Sequence, residues 1–121
     1  MIAKTFNREQ QDRDTMLYVD DERPCPKGYD LARTYDEAIE KLTNNEYTFV
    51  SLDHDLGCYY SDGSEKTGYD IAKWLLERRM SGHDIPQFSS HSMNPIGRRN
   101  IDQTALQCLR YEDEEDEKNS K

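Results

Sequence analysis

The hydrophobic positions fall into short clusters whose period alternates along the chain. Met16-Leu17-Tyr18-Val19, Phe49-Val50-Ser51-Leu52 and Ile85-Pro86-Gln87-Phe88-Ser89-Ser90 are brief runs rich in β-formers, each running into polar or ionisable residues. Tyr29 to Arg33 reads as a further, short edge strand after a loop that Pro24, Pro26 and Gly28 punctuate. Between these runs the spacing turns helical. Thr34-Tyr35-Asp36-Glu37 has capping-box spacing and opens a helix with Ala38, Ile39 and Leu42 inward, closed at Asn44-Asn45. Thr67-Gly68-Tyr69-Asp70 repeats the pattern, with Ile71, Trp74, Leu75 and Met80 on one face and Gly82 as the stop. Asn94-Pro95 reads as a cap followed by proline at the first helical position, and Ile101, Ala105, Cys108 and Leu109 form the stripe behind it. Residues 57–66, with two glycines and two tyrosines, read as a mobile connection long enough to cover a site. The order strand, strand, helix, strand, helix, strand, helix predicts an α/β domain with a mainly parallel four-stranded sheet and helices on both faces.

Composition sets the limits of this body. At 121 residues, with 34% hydrophobic and 34% charged, the chain has material for one domain with a small core. The expected division is a flexible arm over residues 1–14, a folded domain over 15–111 and an acidic disordered tail over 112–121, where Glu112 to Glu117 are all acidic. The net charge of −9 excludes duplex DNA and anionic membrane surfaces as partners, since both are bound through a basic face. A small nucleotide needs only a few local donors and stays open. Cys25, Cys58 and Cys108 are odd in number and widely spaced, which fits neither a disulfide framework nor a zinc site. No apolar window approaches ~18 residues and no export signal is visible, so the expected location is the cytoplasm, with reduced thiols.

The candidate chemistry lies where the strands end. In open α/β sheets, ligands bind beyond the carboxyl ends of the strands. Asp20-Asp21, Asp53-His54-Asp55 and His91-Ser92-Met93-Asn94 all fall at that edge and are expected to converge on one shallow cleft. In an extended strand Asp53 and Asp55 point to one side and share a cation or a proton, while His54 faces away. With Asp20 or Asp21 they offer the oxygen ligands that Mg²⁺ or Mn²⁺ takes, so the candidate metal set is Asp20, Asp21 and Asp53. His54 and His91 are the candidate general acid and base, with Asp53 and Asp55 beside them. Ser92, Asn94 and Arg98 are the candidate phosphate ligands, helped by the amide-bearing start of the helix at Pro95, with Gly97 allowing close approach; Arg99 is a second cation there. Asn94 is equally well explained as a plain helix cap. Tyr59 and Tyr60 are candidates for stacking on a base, and His83 reads as a turn residue on the surface.

Leu17-Tyr18-Val19-Asp20-Asp21-Glu22-Arg23, Thr34-Tyr35-Asp36-Glu37-Ala38-Ile39, Ser51-Leu52-Asp53-His54-Asp55-Leu56-Gly57, Thr67-Gly68-Tyr69-Asp70 and His91-Ser92-Met93-Asn94-Pro95-Ile96-Gly97 resemble, in order, the motifs of the cyclic-phosphate-processing receiver domains. The resemblance spans about residues 17–101. It implies a reduced receiver-like, flavodoxin-like three-layer sandwich and a role in opening cyclic phosphates on RNA ends or nucleotides. It also carries site roles onto Asp20, Asp21, Asp53, His54, Asp55, His91, Ser92 and Asn94. The chain departs from an ordinary phosphorelay receiver: a loop replaces the first helix, histidines enter the acidic pocket, and no fifth strand bearing a lysine fits before the acidic tail. The expectation is a phosphoesterase acting on an RNA 2′,3′-cyclic phosphate end or a cyclic nucleotide. The alternatives are a module that sequesters a nucleotide intact, and a signalling receiver phosphorylated on Asp53.

Overall fold

Four parallel strands form the sheet, and their register determines what meets at its edge. The computed structural model describes residues 15–119, so the predicted arm over 1–14 lies outside the described residues. The strands are β1 (Met16–Val19), β2 (Tyr29–Ala32), β3 (Phe49–Leu52) and β6 (Gln87–Ser90), in the spatial order β2-β1-β3-β6. Val19 lies opposite Ala32 and Leu52, and Leu52 lies opposite Ser90, so the strands end together. The ladder continues one residue further, because Asp20 N–H donates to Ala32 O (3.1 Å), Asp53 N–H to Val19 O (2.9 Å) and His91 N–H to Leu52 O (3.0 Å). Asp20, Asp53 and His91 are thereby set side by side by backbone pairing alone.

The helices are α1 (Tyr35–Asn44), α2 (Gly68–Met80) and α3 (Pro95–Asn119). Thr34 caps α1 by accepting from Glu37 N–H, and Thr67 with Asp70 closes a reciprocal capping box on α2. One buried cluster joins Leu17, Val19, Ala32, Val50, Leu52 and Phe88 of the sheet to Ala38 and Leu42 of α1, Ile71, Ala72 and Leu75 of α2, and Ile101 and Cys108 of α3. Those strand residues all belong to one face by period-two alternation, so all three helices pack on that face.

Several expectations are corrected here. Among the described residues no helix covers the second face, which carries Tyr18, Tyr29 and Ser51. With right-handed crossovers, the β1–β2 connection is the one that would run over that face, and residues 20–28 form a loop. The connection over 57–66 is not structureless: Cys58–Tyr59 (β4) pairs antiparallel with Glu65–Lys66 (β5). Its turn is held by Tyr60 N–H on Ser64 O and by Asp62 Oδ1 accepting from Ser64, with Gly63 at φ +88°. Lys66 ties the hairpin to Asp36 at 3.0 Å, beneath the Tyr35 and Tyr60 rings. Met80 and Leu109, read as core, are 56% and 46% exposed, since both lie at the margins of their helical stripes. Finally, α3 runs on to Asn119, through most of the segment expected to be disordered; glutamate and lysine are good helix formers and an established helix propagates cheaply into them.

Candidate functional site

The site is built on the three residues that follow β1, β3 and β6. Asp20, Asp53 and His91 each offer a ligand atom, and these lie within 4.8 Å of one another. Asp20 is 1% exposed and its two oxygens do different work. Oδ1 accepts from the N–H groups of Glu22 and Arg23, both at 2.8 Å, which folds the loop back over the strand end. Oδ2 faces His91 Nε2 at 2.9 Å. On the other side of the imidazole, Nδ1 meets the Ser51 hydroxyl at 2.7 Å, and the ring lies flat on Tyr18 with centroids 4.3 Å apart and planes 9° from parallel. A carboxylate only accepts, so Nε2 carries the ring proton in the neutral form and Nδ1 accepts from Ser51.

The two carboxyls are driven apart in proton affinity. Burial pushes Asp20 up, but the N–H donors of Arg23 and Glu22, together with His91, outweigh it and hold the group below the ordinary aspartate value. Burial, then the charge of Asp20, raises Asp53 above that value, against the partial relief given by His91, the Ser92 hydroxyl and His54 N–H. Two acids of opposed tendency on adjacent strand ends are the arrangement that acid–base chemistry exploits.

Two helices start against the same turn. Gly68, at the start of α2, donates its N–H to His54 O at 2.9 Å, and a Cβ there would lie 1.9 Å from Asp53 O. Gly97, in the first turn of α3, would place a Cβ 2.2 Å from His54 Cγ. Both glycines exist to let a helix approach residues 53–54 this closely.

The other predicted residues are distributed differently. Asp55 does not join Asp53: β3 ends at Leu52, strand alternation lapses, and Asp55, exposed, pairs with His54 Nδ1 at 2.9 Å. Asp21 is exposed, its Oδ2 turned toward Gly57, outside the Asp20–Asp53–His91 group. Ser92 is 2% exposed; its Oγ accepts from Asn94 N–H, and its hydroxyl lies beside Asp53 and favours that carboxylate's charge. Asn94 Oδ1 caps α3 by accepting from Ile96 and Gly97 N–H at 3.1 Å each, which uses the amides expected to hold an anion. Arg98 and Arg99 are exposed on the first turns of α3. Tyr59 is 63% exposed on the hairpin, whereas Tyr60 packs edge-on to Tyr35. His83 is an exposed turn residue, as expected.

Two contributors were missed. Ser51 is a polar residue at a buried strand position, a signal that it needs a partner. Arg23 follows the two acids directly; its Nη1 donates to His91 O at 3.2 Å and its Nε lies 3.8 Å from Asp20 Oδ2.

No helix among the described residues is long and apolar enough to cross a membrane. Comparison with curated proteins finds no match. Comparison with solved structures finds none either. A family model described as the Cyclic-phosphate processing Receiver domain matches residues 15–107, which takes in the four-stranded sheet, the starts of all three helices and every residue of the site above. By that match and by the fold it predicts, the chain belongs to the family of cyclic-phosphate processing receiver domains.

Proposed function

We propose that this domain hydrolyses a cyclic phosphate to a phosphomonoester, the substrate being an RNA 2′,3′-cyclic phosphate end or a cyclic nucleotide. The observation that carries the reading is the convergence of Asp20, Asp53 and His91 within 4.8 Å at the carboxyl edge of a parallel sheet, in a chain of this family. A water oxygen attacks phosphorus, the bond from phosphorus to one ring ester oxygen breaks, and that oxygen takes up a proton while the water gives one up. His91, whose two ring nitrogens are taken by Asp20 and the Ser51 hydroxyl, is one proton carrier, relaying its proton through these partners. His54, on Asp55 and seated against Gly97, is the other, so each imidazole has its own carboxylate partner.

The donor set fits a divalent cation: two carboxylates on adjacent strand ends, one of them with its proton affinity raised partly by the other's charge, gain from a shared cation. Asp20 and Asp53 would hold Mg²⁺ or Mn²⁺ there, and the ion would supply neutralising charge to the phosphate oxygens. Arg98, exposed on the first turn of α3, would meet the phosphate from the helix side.

The test is to incubate the folded protein with 2′,3′-cyclic nucleotides, RNA ending in a 2′,3′-cyclic phosphate, and 3′,5′-cyclic mono- and dinucleotides, with Mg²⁺, Mn²⁺ or EDTA, and to follow phosphorus by NMR. One class is expected to yield a monoester, with His91→Ala slowing the reaction by about 10²–10⁴-fold. No turnover of any substrate by the folded protein rejects hydrolysis. Nucleotide bound and recovered intact replaces it with sequestration.

A further inference from the structure

The phosphate ligands expected from sequence are largely spent inside the protein. Ser92 is buried on Asp53, and the first amides of α3 are taken by Asn94. A site with two carboxylates still has to receive an anion, so a fixed positive group facing the same space is required.

We propose that Arg23 is that group, a phosphate-binding residue of the site. Its backbone is clamped from both sides: N–H on Asp20 Oδ1 at 2.8 Å, and C=O accepting from Arg33 Nη1 at 2.8 Å. Arg33 Nη1 also donates to Asp20 O, so one guanidinium buttresses the whole loop. The Arg23 side chain then reaches back over the strand ends, with Nη1 on His91 O and Nε 3.8 Å from the same Asp20 oxygen that holds His91. Its head therefore borders the Asp20–Asp53–His91 group. The side chain keeps 42% of its surface exposed, and of its guanidinium N–H groups only Nη1 makes a hydrogen bond among the described residues, so Nη2 has no partner there. A planar fork held at its base and open at its tip is suited to bind two oxygens of one phosphate. Arg98 and Arg99 lack such anchoring: neither side chain makes a hydrogen bond or ion pair among the described residues. Arg23 thus contributes twice, balancing Asp20 in the empty site and gripping the phosphoryl group in the loaded one.

This inference rests on the cyclic-phosphate reading but is tested separately from it. With the best substrate of the panel, Arg23→Gln is expected to lower kcat/KM by about 10–100-fold, chiefly through KM, because it removes a charge-assisted bidentate contact. Arg23→Lys is expected to recover only part of this, since it restores charge without the fork. In Arg23→Ala, guanidinium ion added to the buffer is expected to restore activity, which a purely structural role would not allow. Binding is read without turnover by titrating inorganic phosphate and adenosine 2′-monophosphate and following the Arg23 Nε–H resonance by NMR. A shift of that resonance in a protein that hydrolyses nothing supports the phosphate site while hydrolysis falls. An unchanged KM in folded Arg23→Gln and Arg23→Lys, or phosphate binding that leaves Arg23 Nε–H unmoved, overturns the proposal.

Discussion

Asp20 and Asp53 stand one strand apart, yet their environments act on them in opposite senses, and the consequence is a pair of opposed pH dependences. Asp20 has a folded-state affinity for protons below that of the unfolded chain, so it contributes stability above the ordinary aspartate value, and that contribution is lost as pH falls through its folded value. Asp53 is raised, so its contribution is present below the ordinary value and is lost as pH rises through the higher folded one, beyond which its half-buried charge lowers stability. In EDTA at pH 7, Asp53→Asn is therefore expected to unfold a few degrees higher than the parent, a gain of about 1 kcal/mol, while losing activity. Asp20→Asn is expected to be less stable by about 1–2 kcal/mol at pH 7, with the deficit closing toward pH 3. Thermal melts of the three proteins from pH 3 to 7 check both signs. At this scale the sequence singled out Asp20, Asp53 and His91 by their place at strand ends. It misjudged Asp55 because alternation was carried three residues past the end of the strand at Leu52, and it passed over Ser51 and Arg23 because their roles exist only through partners 40 and 68 residues away.

At the scale of elements, the two helix starts were legible because capping chemistry is local: Thr67 with Asp70, and Asn94 before Pro95, each need only neighbouring residues. What those starts press against was not legible. In an open helix, Gly→Ala gains up to about 1 kcal/mol of propensity. At Gly68 the added methyl meets backbone, Asp53 O at 1.9 Å, which cannot swing away, so Gly68→Ala is expected to destabilise by about 1–3 kcal/mol. At Gly97 it meets the His54 ring at 2.2 Å and His54 Cβ at 2.7 Å; the ring can turn aside, but Cβ is fixed to the backbone. Gly97→Ala is expected to destabilise by about 1–2 kcal/mol and to lower kcat by about tenfold or more by displacing His54. Chemical denaturation together with turnover of the two variants separates these outcomes. The hairpin of β4 and β5 carries a readable sign, Asp62-Gly63 between potential strands; its two-residue strands are too short to show alternation, so composition alone suggested a loose connection.

For the whole molecule, in-register strand ends make the site a property of the sheet, and anything that binds across it ties β1, β3 and β6 together. A divalent cation held by Asp20 and Asp53 would link residues 33 positions apart in sequence, so its binding energy would add to the stability of the fold. At about 100 times its dissociation constant, Mn²⁺ is expected to stabilise the protein by about 2.7 kcal/mol, an upward shift in Tm of roughly 10 °C that EDTA reverses and Asp53→Asn abolishes. A melting temperature indifferent to Mn²⁺ and Mg²⁺ would remove the cation from the mechanism and leave the protein's own groups to carry the reaction.

The sequence by itself determined the element order, the caps and the fact that three polar clusters close three apolar runs, because each depends on residues close together in the chain. It determined the common direction of β2, β3 and β6 as well, since strands of one sheet joined through crossover helices run the same way, whereas β1 and β2 are parallel across a loop. Only the tertiary structure decided which atoms meet: that Asp20 takes His91 and Arg23, that Asp53 takes Ser92, that His54 goes to Asp55 under Gly97, and that one face of the sheet receives every described helix. The physical reason is that register and crossover hand bring distant residues within ångströms of each other, and a linear pattern holds the period of a side chain but not the neighbour it will find.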